Sequence, residues 1–391
     1  MSPNPKFITV GHLQKTIQAI LLICPLVGMG QDPAGFLFRQ QGALYNPALA
    51  GGSGSQSISV AYRNEWQNNG KAGYQTGVLN YEESLPCSVL DYSISALWDQ
   101  EGEGLLSSYE ISPNVSVNLP LINNRDHQIN LRLGGGLSFG WQRVDFTKLI
   151  FSDQLHPKYG NIFPTSFIPP DENLSNSYFQ PAIGGVIQMV LNQQEMNAII
   201  INVGASFHNA YGFGQNKNVG YGKSVLGLLP EQTPKFSAHV DFELIPGAAF
   251  NQFISIRPLI LYEQQQSLHY IQYGVDFGIS DALRIGGYMH QQNFSDARVS
   301  TNWFSATTLF RPYIGKSRID FHFTYSFNIS GLRNAVSPLM EIGLKKHFRN
   351  SPVCRMMGKG DDVDYGNKPV CRYSRISPAK KKIYENVWYK N

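Results

Sequence analysis

The feature that most constrains the fold of this chain is a two-residue alternation of apolar and polar side chains. Between Gln128 and Gln142 every odd position is apolar or glycine and every even position is polar or glycine. The same alternation recurs at 201–208, 236–244 and 320–328. Because successive side chains of a strand point to opposite faces, this period predicts β-strands with one apolar and one polar face.

Two kinds of fold share such alternation: the soluble β-sandwich and the transmembrane β-barrel. Sandwich strands are usually about five or six residues long, whereas several segments here exceed ten residues and their polar face is mostly Asn, Ser, Gln, Thr and Gly. Only 15% of the residues are charged, while soluble domains usually carry about 25%. The pattern therefore predicts an all-β fold, a transmembrane antiparallel β-barrel of the outer-membrane type with a polar lumen.

The number of alternating segments predicts the size of the barrel. If both ends of the barrel chain are periplasmic, the gaps after odd-numbered strands face outward and should be the longer ones. The two longest gaps, about 151–176 and 210–234, follow strands five and seven. This agrees with about fourteen strands. They begin near Ser57, Gly73, Ser88, Leu105, His127, Ser177, Glu195, Lys235, Gln252, Ser267, Ala282, Ser300, Ser317 and Pro338.

The first thirty residues have the pattern of an export signal. Lys6 and Lys15 precede an apolar core at 17–27, and the sequence GMG at 28–30 supplies the small residues that a signal peptidase reads. The core is shorter than the roughly 20 apolar residues of a membrane-spanning helix. We therefore expect residues 1–30 to be a signal peptide.

The barrel is expected to occupy residues 57–348, with a separate segment on each side. Residues 31–56 are predicted to form an N-terminal periplasmic or lumen segment, and residues 349–391 a basic periplasmic tail. The tail holds ten Lys/Arg against four Asp/Glu, so we expect it to dock on acidic partners of the envelope. The proposed docking residues are Lys380, Lys381 and Lys382.

Three cysteines would remain after export. A disulfide is possible in an exported protein, and Cys354 and Cys371 lie close together in the tail, so they are the expected pair. Cys87 is left over, and the odd count keeps the assignment open.

The stretch LYNPALAGG at 44–52 lies between the expected signal peptide and the first strand. Asparagine followed by proline is typical of a rigid turn, and the small residues after it allow close approach to other backbone. Two interpretations stay open: a structured lead on the periplasmic side, or a segment folded into the periplasmic mouth of the lumen. The candidate residues for such a lumen plug are Tyr45, Asn46, Pro47 and Gly51.

Residues with catalytic or ligand-binding chemistry do not form a recognisable motif. The stretch GYGKS at 220–224 lacks the first glycine and the strand-to-helix unit of a phosphate-binding loop. His239, Asp241 and His322 share the polar phase, but no metal-ligand spacing accompanies them, so we interpret them as solvated lumen residues. We expect a non-enzymatic protein with no cofactor, metal or nucleic-acid partner. A lipid hydrolase that uses the two histidines is the weaker alternative.

Several motifs, in this order, resemble the PorP/SprF family of type IX secretion membrane proteins. They are FLF at 36–38, YNPALAG at 45–51, YRNEW at 62–66, KLIFSD at 148–153, SFHN at 206–209 and YSFNISGL at 325–332. The resemblance covers nearly all of 31–348. The chain departs from the family pattern because Trp66 is not followed by the usual proline and the tail after Phe348 is longer.

The resemblance implies an outer-membrane barrel of a Gram-negative bacterium that serves type IX secretion or gliding. Members of this family act with a large secreted adhesin-like protein that carries a type IX C-terminal domain, and with other secretion components. The barrel is expected to contact outer-membrane lipid and to work by protein–protein binding without catalytic residues. An outer-membrane channel or hydrophobic-solute transporter is the alternative function.

Overall fold

The structure, a computed structural model, describes most of the expected barrel. The described residues are 38–53, 56–65, 73–85, 88–102, 106–123, 127–146, 149–168, 175–191, 197–209, 234–246, 254–265, 268–279, 282–294, 297–314, 317–330, 337–348 and 352–356. The expected signal peptide, Cys87, Cys371 and the three docking lysines of the tail lie outside these ranges.

Fourteen long antiparallel strands form the wall of a closed barrel. In chain order the strands are β1 (Ser57–Glu65), β2 (Tyr74–Ser84), β3 (Leu90–Glu101), β4 (Leu106–Asn123), β5 (Gln128–Arg143), β6 (Leu155–His156), β7 (Gly160–Asn161), β8 (Ser175–Leu191), β9 (Asn197–His208), β10 (Lys235–Pro246), β11 (Ser255–Gln265), β12 (Leu268–Gly278), β13 (Leu283–Phe294), β14 (Ala297–Phe310), β15 (Tyr313–Ile314), β16 (Ser317–Asn328) and β17 (Leu339–His347). Of these, β6, β7 and β15 are short.

The predicted fold class and strand number are confirmed. Predicted and observed strand starts agree closely: β1 begins at Ser57 as expected, and one of the larger differences is at β11, which begins at Ser255 instead of Gln252. The three short strands were not predicted, because two-residue strands carry no measurable alternation. Strands β6 and β7 form a hairpin inside the long gap that follows β5.

Pairing of the first strand with the last closes the ring. Ser57 of β1 lies opposite His347 of β17, and β14 pairs directly with β16 from Trp303 to Phe310. Each of the other long strands pairs with the long strands before and after it along the chain. A closed ring leaves no strand edge unpaired, which a β-structure in lipid requires.

The two faces of the wall are inverted relative to those of a soluble protein. Along β5 the even positions are buried or half-buried and the odd positions are exposed or half-buried; Arg132 is 0% exposed, whereas its neighbour Leu133 is 47% exposed. Outward aromatic side chains of adjacent strands pack in pairs, such as Phe139 with Phe179 at a ring distance of 5.1 Å. The apolar face is therefore outside, where it meets lipid, and the polar face is inside.

Helices are few and short in the described chain. They are α1 (Gly42–Tyr45), α2 (Pro352–Met356) and the 3-10 helices Pro47–Leu49 and Ser152–Gln154. None of the helices found in the described ranges is long and apolar enough to cross a membrane.

A charge on the outer face should destabilise the barrel according to its depth. Val240 is exposed at the middle of β10, and Leu90 is exposed at the start of β3. We expect Val240→Arg to lower the free energy of unfolding in lipid vesicles by about 2–4 kcal/mol, and Leu90→Arg by about 0–1 kcal/mol. Urea unfolding followed by tryptophan fluorescence measures both; equal losses would contradict the assignment of the outer face to lipid.

Candidate functional site

Residues 38–53, which we call the inner segment, lie against the inward-facing residues of the barrel wall. The 3-10 helix Pro47–Leu49 packs against β4, β5 and β8. Ala48, Ala50 and Asn46 are fully buried. The stretch between the expected export signal and the first strand is therefore enclosed by the wall.

Asn46 is the central polar contact of the inner segment. Its side-chain oxygen accepts a hydrogen bond from Ala48 N at 3.0 Å, which caps the 3-10 helix that begins at Pro47. Its Nδ2 donates to the carbonyl oxygens of Gly185 and Ala205, both at 3.2 Å. Both halves of the amide are used, as a buried polar group requires.

Two glycines on neighbouring strands form the recess that receives this turn. Gly134 of β5 lies opposite Gly184 of β8. A Cβ added at Gly134 would lie 2.2 Å from Ala48 N, and one added at Gly184 would lie 2.1 Å from Asn46 Oδ1. Any side chain at either position would therefore collide with the inner segment.

Arg132 holds the chain that follows the turn. Its Nε donates to Ala48 O at 2.8 Å and its Nη2 donates to Ala50 O. The same guanidinium lies 3.4 Å from Asp91, and both side chains are fully buried. Ser116 Oγ also donates to Ala50 O at 3.0 Å. A buried cation is thus compensated by a carboxylate and by carbonyl oxygens of the inner segment.

Gly51 turns the chain back toward the first strand. Its φ of +71° lies in the left-handed region, which favours glycine. An added Cβ would lie 2.6 Å from Asp91 Cβ and 2.8 Å from Glu83 O. Both the conformation and the space therefore require glycine here.

Tyr45 and Phe38 anchor the other half of the inner segment in an apolar patch. Their rings are 5.3 Å apart. Both belong to a buried cluster with the inward-facing residues Leu259, Leu261, Tyr270 and Tyr288. Burial raises the pKa of the Tyr45 phenol well above its usual value, so this side chain stays neutral.

The backbone of Tyr45 is fixed by two inward-facing side chains of β9. Ser206 Oγ donates to Tyr45 O at 2.5 Å, and His208 Nε2 lies 2.8 Å from the same oxygen. Asn209, which follows, has a φ of +61°. The SFHN motif at 206–209 is therefore part of the site that holds the inner segment.

Arg39 attaches the inner segment to a group of charged residues on the wall. Its guanidinium lies 2.8 Å from Asp241 and 3.5 Å from Asp276. It also donates to the carbonyl oxygens of Arg257 and Pro258 at 3.0 and 3.3 Å. This residue was missed in the sequence because it lies outside the strands, where phase carries no information.

The interpretation of His239 as a solvated lumen residue is wrong. Its ring is 2% exposed and lies 4.8 Å from the ring of Phe38. Asp241 is also buried, and both Arg39 and Arg257 pair with its carboxylate. His239 is therefore enclosed by the inner segment, whereas His322, the other histidine of the hydrolase alternative, is half-buried beside a second cavity.

Of the candidate site residues, Tyr45, Asn46, Pro47 and Gly51 all belong to the inner segment. The side chain of Cys354 and the whole of Cys371 lie outside the part of the chain that the structure describes, as do Lys380, Lys381 and Lys382. Asp241 was singled out from the sequence, but Gly184, Arg132 and Arg257 were not recognised as part of a site. The phase of the alternation was the available signal, since Arg132, Asp241 and Arg257 all occupy inward positions.

Comparison with protein families gives one match over most of the chain. The model of the family described as "Type IX secretion system membrane protein PorP/SprF" matches residues 27–345. No curated protein matches the chain significantly.

Among solved structures, several bacterial proteins are similar at low identity. A Pseudomonas aeruginosa FadL homologue has a TM-score of 0.36 and 9% identity, covering 78% of this chain and 93% of that one. Omp33 of Acinetobacter baumannii has a TM-score of 0.38 and 8% identity, with coverages of 75% and 98%. The CymD monoaromatic hydrocarbon channel has a TM-score of 0.38 and 14% identity, with coverages of 82% and 96%.

The glycine recess gives a matched pair of variants. Gly134→Ala should displace the turn at Pro47–Ala48, because the new methyl group overlaps its backbone, whereas an added Cβ at the adjacent Gly135 meets nothing within 4 Å. We expect Gly134→Ala to speed amide hydrogen exchange in the inner segment about tenfold or more while the strands keep their protection. Mass spectrometry measures this; equal exchange in Gly134→Ala and Gly135→Ala would exclude the recess as a constraint.

Proposed function

Because the chain belongs to the PorP/SprF family of type IX secretion system membrane proteins, we propose that it is a partner-specific binding barrel whose lumen is plugged by its own inner segment. A closed barrel with an apolar outside belongs in the outer membrane, and membership of the family implies association with type IX secretion components. Family and fold are those of a secretion-system barrel and not of a known enzyme class.

The observation that carries the proposal is the way in which the inner segment is held. Asn46, Arg132 and Arg39 all use their side chains to join it to the wall, and the contacts reach strands on several sides of the lumen. Two cavities that border it have volumes of only about 30 and 40 Å³. Cavities of this size hold only a few water molecules, which favours a plugged binding protein over an open channel.

The partner we propose is a large secreted adhesin-like protein with a type IX C-terminal domain. Both ends of the barrel chain would face the periplasm, so that the long gaps after β5 and β9 reach the cell surface. The basic tail, with Lys380, Lys381 and Lys382, would then dock on periplasmic secretion components. The barrel would retain a partner at the surface by non-covalent binding alone.

Planar-bilayer conductance separates the plugged barrel from the channel alternative. We expect the intact protein to lack steady porin-like conductance. Replacement of residues 42–51 by a Gly/Ser stretch of equal length should produce long-lived openings, because it removes the anchors at Tyr45 and Asn46. Gly135→Ala serves as the control and should stay closed. Steady conductance of the intact barrel would favour the channel or solute transporter.

Affinity purification from native outer membranes tests the partner. We expect the full chain to retain a large exported protein together with periplasmic secretion components. A chain that ends at Phe348 should keep the exported protein but lose the periplasmic components, and the difference should shrink at high salt because the tail contacts are electrostatic. Recovery of the barrel alone from both preparations would defeat the proposal.

A further inference from the structure

A cavity of about 40 Å³ lies beside Arg39, near the end of the barrel where β1 begins and β17 ends. We call it the arginine cavity. The cations in its wall are Arg39, Arg257, Arg284, Arg311 and Lys345. The carboxylates in its wall are Asp276 and Asp320. The wall therefore carries more positive than negative charge among the described residues.

The carboxylates that pair with these cations are shared. Glu243 lies 3.5 Å from Arg257 and 3.0 Å from Arg284. Asp241 lies 2.8 Å from Arg39 and 3.4 Å from Arg257. Neither of these two carboxylates is part of the cavity wall. Glu82, which pairs with Lys345, is also outside the wall. The cavity wall itself therefore presents five cations and two carboxylates.

A third shared carboxylate, Asp320, belongs to the cavity wall. Asp320 is 3.5 Å from Arg311 and 3.1 Å from Arg318. His347 also approaches it, at 3.2 Å. Arg284 and Arg311 are each 3% exposed and Arg257 is 5% exposed. Buried cations that share counter-charges are stabilised by an added anion, because solvent does not screen them.

The chemistry and size of the cavity define the class of ligand. Arginine forks bind two oxygens of one anion in parallel, which suits phosphate, sulfate and carboxylate groups. A volume of about 40 Å³ corresponds to roughly three water molecules. This leaves room for a small oxyanion.

We propose that the arginine cavity binds one small oxyanion, which joins Arg39 of the inner segment to arginines of the barrel wall. The anion would stabilise the plugged state, because it attracts cations from both parts at once. The binding itself does not depend on the identity of the exported partner, so it is tested on the purified full chain. Failure of anion binding would therefore leave the proposed binding of an exported partner untouched. Failure to recover an exported partner would likewise leave the proposed anion site untouched.

Isothermal titration calorimetry with inorganic phosphate tests the site at constant ionic strength in a neutral detergent. We expect one phosphate per chain, and a rise of about 2 °C or more in the unfolding temperature at saturation. Sulfate and acetate should compete, whereas chloride at equal ionic strength should not. Phosphatidic acid should fail to compete, because its acyl chains cannot enter; competition by it would assign the site to a lipid headgroup and overturn the proposal.

Charge-neutral variants locate the site. Arg284→Gln and Arg311→Gln should each weaken phosphate binding at least about tenfold, since each removes a charge-assisted contact. Lys346→Gln is the matched control, because Lys346 neighbours Lys345 on β17 but is exposed. If either glutamine variant does not fold, Arg311→Lys keeps the charge, and we expect it to weaken binding less.

Hydrogen exchange then reports the coupling to the inner segment. Phosphate should slow exchange in residues 38–53 of the parent protein, and Arg39→Gln should abolish that effect. Absence of saturable binding, or unchanged affinity in Arg284→Gln and Arg311→Gln, would overturn the site. Binding without any change in exchange would overturn the coupling.

Discussion

The pairing of β1 with β17 is the constraint on which the rest of the structure depends. A backbone in lipid has no water to satisfy its N–H and C=O groups, so a sheet can cross only if every edge is paired. Register such as Ser57 opposite His347 satisfies that requirement. Closure also decides where each face of a strand points. The apolar positions turn outward to lipid, and the polar positions are confined with one another in a narrow lumen.

Because the polar side chains of the wall are confined in the lumen, some of them take their hydrogen-bond partners from the inner segment. Arg132 and Asp91 are fully buried, and the carbonyl oxygens of Ala48 and Ala50 accept hydrogen bonds from the guanidinium of Arg132. Removing one partner of such a buried network is far more costly than the small net gain of forming it. The glycines Gly134 and Gly184 supply the space, and Asn46 supplies the polar contacts. The inner segment and the wall are thus complementary in both shape and charge.

The inner segment also encloses polar side chains of the lumen. The inward histidine that looked reactive in the sequence, His239, packs on Phe38. The charged residues around Arg39 hold two parts of the same chain together. The chain belongs to a type IX secretion family, and under the proposed function its partners would bind at the outer surface and loops of the barrel. The arginine cavity lies where the inner segment meets the charged residues of the wall.

The barrel could be predicted from the sequence, because a period of two over segments of more than ten residues can be recognised without any long-range information. The alternation also predicted that Arg132 and Asp241 face inward, although not what they contact. The YNPALAG motif was recognisable as a turn. The position of that turn and its contacts could be seen in the tertiary structure but could not be predicted from the sequence. Gly134 and Ala48 meet across 86 positions of sequence, and contacts at such separation depend on barrel closure and strand register. No local pattern encodes those two properties.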